Sequence, residues 1–313
     1  MSELILHHYP ESPFAEKIRL ILGHKKLAWR SVTIPIVMPK PDLMPLTGGY
    51  RRTPVLQVGA DVYCDTALIA RVLERLHPAP PIFSDHSGLS DKALAMFADT
   101  QLFSAAVAWA MQPAGLAAMF AGQSPEQLAA FAEDRKKMRQ GGSGLRMPLA
   151  DATLLLRSVL PRLDAQLADD RRFLTGHDAR ICDFSVYHPL WFIGRAGPMA
   201  EIFQPYPHLR GWMGRMAAIG HGTPSEMSSA DALDVAHVSS PAMPAGRSLR
   251  DVDGVGVGDR VSVAATDYGV DPVIGTLANA ETDSVAVRRT EASVGEIVVH
   301  FPRIGFRLSP AAD

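Results

Sequence analysis

The hydrophobic positions of residues 1–78 switch between strand spacing and helix spacing. The run LILHHY is a short apolar strand, and apolar residues then recur at helical spacing from Phe14 to Leu22. The alternating run WRSVTI follows, then PVLQV and DVYC around a tight turn, and then a helix that opens at Asp65. Strands and helices in this order predict an α/β layer with a mixed sheet.

Residues 86–220 show helical spacing throughout. One example is SPEQLAAFAEDRKKMR, which has a serine cap at Ser124, a proline at the first helical position and basic residues in its last turn. Other runs in this range carry apolar stripes of the same period. The pattern predicts an all-helical second domain.

The pattern changes twice more toward the C-terminus. Residues 221–246 are rich in Ser, Pro, Gly and Ala without a sustained period, which predicts a linker. Residues 247–313 contain short alternating runs separated by turn residues. These runs predict a small all-β, barrel-like module of about five strands.

Composition and charge narrow the class of protein. The formal net charge of −2 provides no field that attracts nucleic acid or an anionic membrane. No apolar run reaches the roughly 18 residues of a membrane span, and the start MSELILHHYP is not a secretory signal. Cys64 and Cys182 are too few for a disulfide framework, and we expect both as small buried residues. We therefore expect a cytoplasmic protein that binds neither nucleic acid nor membranes.

Polar residues stand at three junctions between strands and helices, where binding sites gather in α/β layers. The junctions are Ser12-Pro13, Thr53-Pro54 and Asp65-Thr66.

Each junction suits a different chemical group. A cis peptide at Thr53-Pro54 would turn the chain and expose the backbone of Thr53 to an extended ligand. Asp65-Thr66 places a carboxylate, a hydroxyl and free N–H groups at a helix start, which suits an α-amino acid head group. Ser12 has two compatible readings, a helix cap before Pro13 or a hydroxyl that faces a reactive group.

The sequence predicts no metal site. His7 and His8 are adjacent in a strand, so their side chains point to opposite faces and are not expected to share an ion.

The stretches SPFAEKIRL, RRTPVLQ and YCDTALIARVLE together resemble the glutathione transferase family over residues 1 to about 220. SPFAEKIRL is similar to the active-site stretch of the omega class, which has cysteine at the position of Ser12, and it looks more like the tau class, which has serine. The resemblance implies a thioredoxin-like first domain and an all-α second domain, with the β module as an addition.

The resemblance also implies glutathione as co-substrate, without a metal. Ser12 would hydrogen-bond the glutathione sulfur and stabilise its thiolate, the form that attacks. The backbone of Thr53, held by cis-Pro54, would pair with the cysteinyl part, and Asp65 and Thr66 would bind the γ-glutamyl end. Lys40 and Arg52 stand near positions where the family places cations for the glycine carboxylate.

A small apolar electrophile is the implied partner of the thiolate. It would lie between the domains, and the family commonly forms homodimers. The pocket residues would be Phe14, Phe97, Phe103 and Trp109. Two alternatives stay open, namely a non-catalytic binding or regulatory protein on the same fold, and a glutathione-dependent isomerase or dehalogenase. The glycine-rich loop PLTGGYRRTP departs from the family pattern, and the β module has no counterpart in ordinary members.

Overall fold

The first domain is a mixed α/β layer. The structure, a computed structural model, describes residues 3–83, 88–144, 146–242 and 254–311. The elements of this domain are β1 (Ile5–His8), α1 (Pro13–His24), β2 (Ala28–Thr33), α2 (Met44–Thr47), β3 (Val55–Val58), β4 (Asp61–Cys64) and α3 (Thr66–Leu76). Strand β1 pairs in parallel with β2 and antiparallel with β3, and β3 pairs antiparallel with β4. The predicted thioredoxin-like layer is confirmed.

The second domain is helical, as predicted. Its α-helices are α4 (Gly88–Phe97), α5 (Phe103–Ala110), α6 (Pro113–Met119), α7 (Pro125–Met138), α8 (Leu149–Gln166), α9 (Ile181–Gly194) and α10 (Pro207–Ala217). A π-helical turn, Ala98–Leu102, joins α4 to α5, and a 3₁₀ helix spans Gly197–Phe203. Helix α9 is the central element because it packs against α1, α4 and α5.

One helical run, Gly88–Ala110, has the length and the mean hydropathy of a membrane span. This run consists of α4, the π-helical turn and α5. It packs against α9 and α8, so part of its apolar surface is used inside the helical domain.

The described part of the predicted linker, residues 221–242, contains regular secondary structure. Strand β5 (Thr223–Glu226) pairs in parallel with β2, and α11 (Ser229–Val238) follows it. All four residues of β5 are exposed at the edge of the sheet, so they show no hydrophobic alternation, and an edge strand tolerates its proline. Helix α11 buries only small residues, Ala232 and Ala236, which give a weak periodic signal.

Five strands of the described residues form the C-terminal module. They are β6 (Arg260–Ala265), β7 (Val273–Ala280), β8 (Ser284–Glu291), β9 (Gly295–Pro302) and β10 (Phe306–Pro310). The predicted boundaries at 246 and 247, and the predicted start of the helical domain at 86, lie outside the described residues.

The module continues the sheet of the first domain and does not close as a separate barrel within the described residues. The strand order is β10-β6-β7-β8-β9-β4-β3-β1-β2-β5, with β9 parallel to β4. His300 on β9 contacts Asp61 Oδ1 at 2.7 Å, and its ring stacks on Tyr63 at 4.5 Å between centroids. Residues of both parts share one hydrophobic core. The sequence does not reveal this pairing because the two partner strands are far apart in the chain.

Candidate functional site

The three polar junctions meet at one edge of the sheet. Strand β1 ends at His8, and Val55 at the start of β3 lies opposite His7. Cys64 at the end of β4 lies opposite Val55 on the other side. The residues just beyond these strand ends therefore lie at the same edge, where α1 and α3 also begin. The fold brings Ser12, Thr53-Pro54 and Asp65-Thr66 together.

Ser12 caps α1. Its Oγ accepts a hydrogen bond from Ala15 N at 3.2 Å, and Pro13 stands at the first helical position. The side chain is nearly covered, with 1% of the residue exposed. Tyr9 lies beside it. Burial raises the pKa of Tyr9, while the charge of Arg135 and a hydrogen bond with Ser12 oppose that rise. The cap reading of Ser12 is confirmed, and its contact with a thiol stays a prediction.

The peptide between Thr53 and Pro54 is cis, as the sequence predicts. Lys40 supports this turn by donating from Nζ to Thr53 Oγ1 at 3.1 Å and to Arg51 O at 3.2 Å. Burial, and then the charges of Arg135 and Arg51, lower the pKa of Lys40 to about 7. Lys40 Nζ is therefore already hydrogen-bonded to the turn that contains cis-Pro54.

Asp65 adopts a backbone conformation that L residues rarely take, with φ 74° and ψ 135°. Such a conformation costs on the order of 1–3 kcal/mol and is concentrated at functional sites. Its Oδ1 accepts from Ala67 N at 2.9 Å, and Oδ2 has no hydrogen-bond partner within the described ranges. Burial raises the pKa of Asp65, and the bond from Ala67 and the charge of Arg52 oppose the rise.

Thr66 links the two helix starts. Its Oγ1 accepts from Lys17 Nζ at 3.3 Å, and Lys17 lies in the second turn of α1. Lys17 also forms an ion pair with Asp99 Oδ2 at 2.7 Å, although only 1% of the Lys17 side chain is exposed. Lys17 thus connects the start of α3 in the first domain to the π-helical turn of the helical domain.

Asp99 is the centre of this interdomain contact. It lies in the π-helical turn, and such turns occur often at functional positions. His188 Nε2 on α9 contacts Asp99 Oδ1 at 2.9 Å. Burial alone would raise the pKa of Asp99, but Lys17 and His188 outweigh it and lower the pKa to about 2. Asp99 is therefore an ionised carboxylate between two buried partners. No short-range pattern in the sequence marks this residue.

Arg52 does not stand free at the site. Its guanidinium pairs with the carboxylate of Asp267 and donates to Tyr268 O, both in the loop between β6 and β7. Nothing in the sequence predicts this contact, because Asp267 lies more than 200 positions further along the chain.

Comparisons with known proteins identify the family of this chain. Residues 6–81 match the family model described as glutathione S-transferase, N-terminal domain. A glutathione S-transferase-like protein from Pseudomonas syringae is 39% identical, with 99% of this chain and 100% of that chain covered and a TM-score of 0.84. The chain belongs to the glutathione S-transferase-like family. Because the Pseudomonas similarity covers nearly the whole chain, the β module has a counterpart in that relative.

More distant similarity is limited to the shared fold. A β-etherase from Sphingobium sp. strain SYK-6 is 16% identical, with 70% of this chain and 96% of that chain covered and a TM-score of 0.50. No curated protein matches the sequence.

Two of the four residues predicted to line the co-substrate pocket, Phe14 and Phe103, are in ring contact. Phe14 on α1 contacts Phe103 on α5 edge to face, with ring centroids 4.6 Å apart, and lies 4.5 Å from the ring of His188. Phe97 and Trp109 are partly buried against the hydrophobic core that residues of the first and second domains share, and Trp109 Nε1 donates to Met199 O at 3.0 Å. Phe14, two residues after Ser12, therefore packs with Phe103 and the imidazole of His188 where α1 contacts the helical domain.

The end of α7 lies over the same part of the first domain. Asp134 is buried and pairs with Arg51, and its Oδ1 also accepts from Met38 N at 3.1 Å. Arg135 Nη2 donates to Ile36 O at 2.7 Å. A charged run such as EDRKKMR is typical of a solvated helix end, so its buried members could not be recognised from sequence.

Among the described residues, no group of three or more His, Cys, Asp or Glu side chains is placed to hold a metal ion.

Proposed function

We propose that this protein binds glutathione at the sheet edge and uses Ser12 to stabilise the thiolate for attack on a small apolar electrophile. The proposal rests on the observation that Ser12, Thr53 and Asp65-Thr66 lie beside the same ends of neighbouring strands. A cap alone explains Ser12, but it does not explain why a strained aspartate and a cis-proline turn converge on the same place.

The γ-glutamyl end of glutathione would bind at Asp65-Thr66. The Asp65 carboxylate would take the α-ammonium through Oδ2, since Oδ1 already accepts from Ala67 N. The α-carboxylate would face the first N–H groups of α3, which have no partner inside the helix. The backbone of Thr53 would pair with the cysteinyl part. Lys40 and Arg52 would face the glycine end.

Ser12 would act on the sulfur as a hydrogen-bond donor. A hydroxyl has one donor and two acceptor positions, so Ser12 Oγ can accept from Ala15 N and from the Tyr9 hydroxyl and still donate its own proton. Donation to the sulfur favours the thiolate over the thiol, and the positive end of α1 adds to this preference. The thiolate would then attack the electrophile that rests against Phe14 and Phe103.

We expect Asp65→Asn to weaken glutathione binding by about 10- to 100-fold, because the substitution removes one charge-assisted hydrogen bond. The amide keeps an oxygen for Ala67 N but loses the charge that pairs with the ammonium. Calorimetric titration measures Kd. Asp231→Asn, at the exposed start of α11, is the matched control and should leave Kd unchanged. An unchanged Kd for Asp65→Asn would exclude this mode of binding.

Ser12 also sets the type of chemistry. A serine forms no mixed disulfide, so we propose that thiol-transferase activity is absent. Burial raises the pKa of both Cys64 and Cys182, so neither is available as a thiolate to replace it.

A second candidate function is a non-catalytic binding protein on the same fold. The near-complete coverage of Ser12 and the pairing of Arg52 favour it. Robust turnover that Ser12→Ala abolishes would argue against this candidate. An isomerase or dehalogenase would use the same thiolate, and the predicted pocket residues do not distinguish these reactions. We propose a homodimer for each of these functions.

A further inference from the structure

The loop between β6 and β7 places a carboxylate against Arg52, which the proposed function assigns to the glycine end of the candidate site. Arg52 Nη2 donates to Asp267 Oδ1, and Nη1 lies 3.5 Å from Asp267 Oδ2. The guanidinium carbon lies 3.9 Å from the centre of the Tyr268 ring. Arginine binds carboxylates through a planar fork and stacks on aromatic rings, so Asp267 and Tyr268 satisfy both of its preferences.

This loop is held in place by the helical domain. Gly144 N donates to Asp267 O at 2.7 Å, Ser143 N donates to Thr266 O at 3.0 Å, and Gly269 N donates to Met138 O at 2.5 Å. Gly269 adopts a φ of 54°, in the left-handed region that glycine tolerates, so the loop can turn directly after Tyr268. Backbone hydrogen bonds before and after Asp267 in the loop therefore hold its carboxylate against Arg52.

A ligand carboxylate that approaches Arg52 meets a guanidinium that is already paired with the carboxylate of Asp267. The other nearby cation, Lys40, is hydrogen-bonded to Thr53 and to Arg51 O. A glycine carboxylate would have to displace Asp267 from Arg52, and exchanging one charged partner for another yields little net free energy.

We propose that Asp267 is a specificity-determining residue. Its carboxylate pairs with the Arg52 guanidinium that a ligand carboxylate would otherwise bind. The site then binds a γ-glutamylcysteinyl thiol with little preference for a charged glycine end. This inference rests on the proposed glutathione function.

The test compares glutathione with its C-terminal amide, which has the same length and lacks only the terminal negative charge. Calorimetric titration of the full chain should give Kd values for the two ligands that agree within about threefold. If the wild-type protein prefers glutathione by about tenfold or more, one charge-assisted contact is made at the glycine end and the inference is wrong.

Asp267→Asn supplies the second arm of the test. The substitution keeps the shape of the side chain and removes the competing charge, so glutathione affinity should rise about tenfold while the affinity for the amide stays within about twofold. Asp271→Asn removes the same charge from an exposed position in the same loop and should change neither Kd. An equal change for both ligands, or no change, would overturn the role of Asp267.

The two proposals fail in different ways. If the wild-type protein and Asp267→Asn both bind neither ligand, the glutathione function is refuted and the inference with it. If the wild-type protein binds both ligands but discriminates strongly between them, only the inference fails. The wild-type comparison decides the matter even if Asp267→Asn does not fold.

Discussion

Ser12→Ala is expected to lower the rate of glutathione conjugation about 100-fold and to change glutathione affinity by less than about threefold. Under the proposed function the hydroxyl would contact the sulfur and stabilise its thiolate, whereas Thr53, Asp65 and Thr66 would hold the remainder of the tripeptide. Removing one preorganised donor of this kind typically costs 100- to 1,000-fold in turnover. Steady-state kinetics with a general electrophile, combined with calorimetric titration, separates the two effects.

Loss of the helix cap must be separated from loss of the sulfur contact. Ser12→Ala also removes the bond from Ala15 N, which costs about 1 kcal/mol of stability. Ser228→Ala removes an equivalent cap from α11, away from the site, and should leave turnover unchanged. Ser12→Thr, which keeps a hydroxyl, should retain most of the turnover. Equal activity of Ser12→Ala and the wild-type protein would contradict the assigned role.

Asp99→Leu is expected to lower the free energy of unfolding by about 3–5 kcal/mol. The substitution leaves the Lys17 ammonium buried without its partner carboxylate and removes the contact with His188. Combining it with Lys17→Met removes both charges, so the double variant should lose less stability than Asp99→Leu alone. Denaturant unfolding of the wild-type protein, Asp99→Leu, Lys17→Met and the double variant measures the four free energies that the comparison needs.

A surface ion pair provides the control. Asp169 and Arg171 also lie 2.7 Å apart, but their side chains are 54% and 34% exposed. Asp169→Leu should therefore change stability little. A double variant as unstable as the sum of its single variants would show that Lys17 and Asp99 are not coupled.

The stabilisation by Asp99 depends on pH in a defined direction. Burial disfavours the ionised carboxylate, but Lys17 and His188 lower the pKa of Asp99 to about 2, below its usual value of about 3.9. A depressed folded-state pKa adds stability above the unfolded-state value, and this contribution is lost as the pH falls toward about 2. The stability difference between the wild-type protein and Asp99→Leu should therefore be constant near neutral pH and shrink below about pH 4.

The parts of the site that the sequence reveals are local. Ser12-Pro13, Thr53-Pro54 and Asp65-Thr66 each carry a short-range signal, namely a cap, a proline before a strand and a charged helix start. The order of strands and helices then places all three at one sheet edge. The layer, the helical domain and the strands of the module follow from hydrophobic period alone.

The parts that the sequence does not reveal depend on distant pairings. Asp99 acquires its role only when α1 and α9 enclose the π-helical turn. Arg52 meets Asp267 only because β9 joins the open edge of β4 and brings the module beside the first domain. Strand β5 is missed because an exposed edge strand has no buried face to impose alternation. Neither composition nor spacing reports such contacts.

The most direct test of the proposed function is a crystal structure of the full chain with glutathione. The account predicts the tripeptide along the sheet edge, with its sulfur within hydrogen-bonding distance of Ser12 Oγ and its α-ammonium at Asp65. A bound tripeptide whose sulfur lies away from Ser12, or no bound tripeptide at millimolar glutathione, would contradict it.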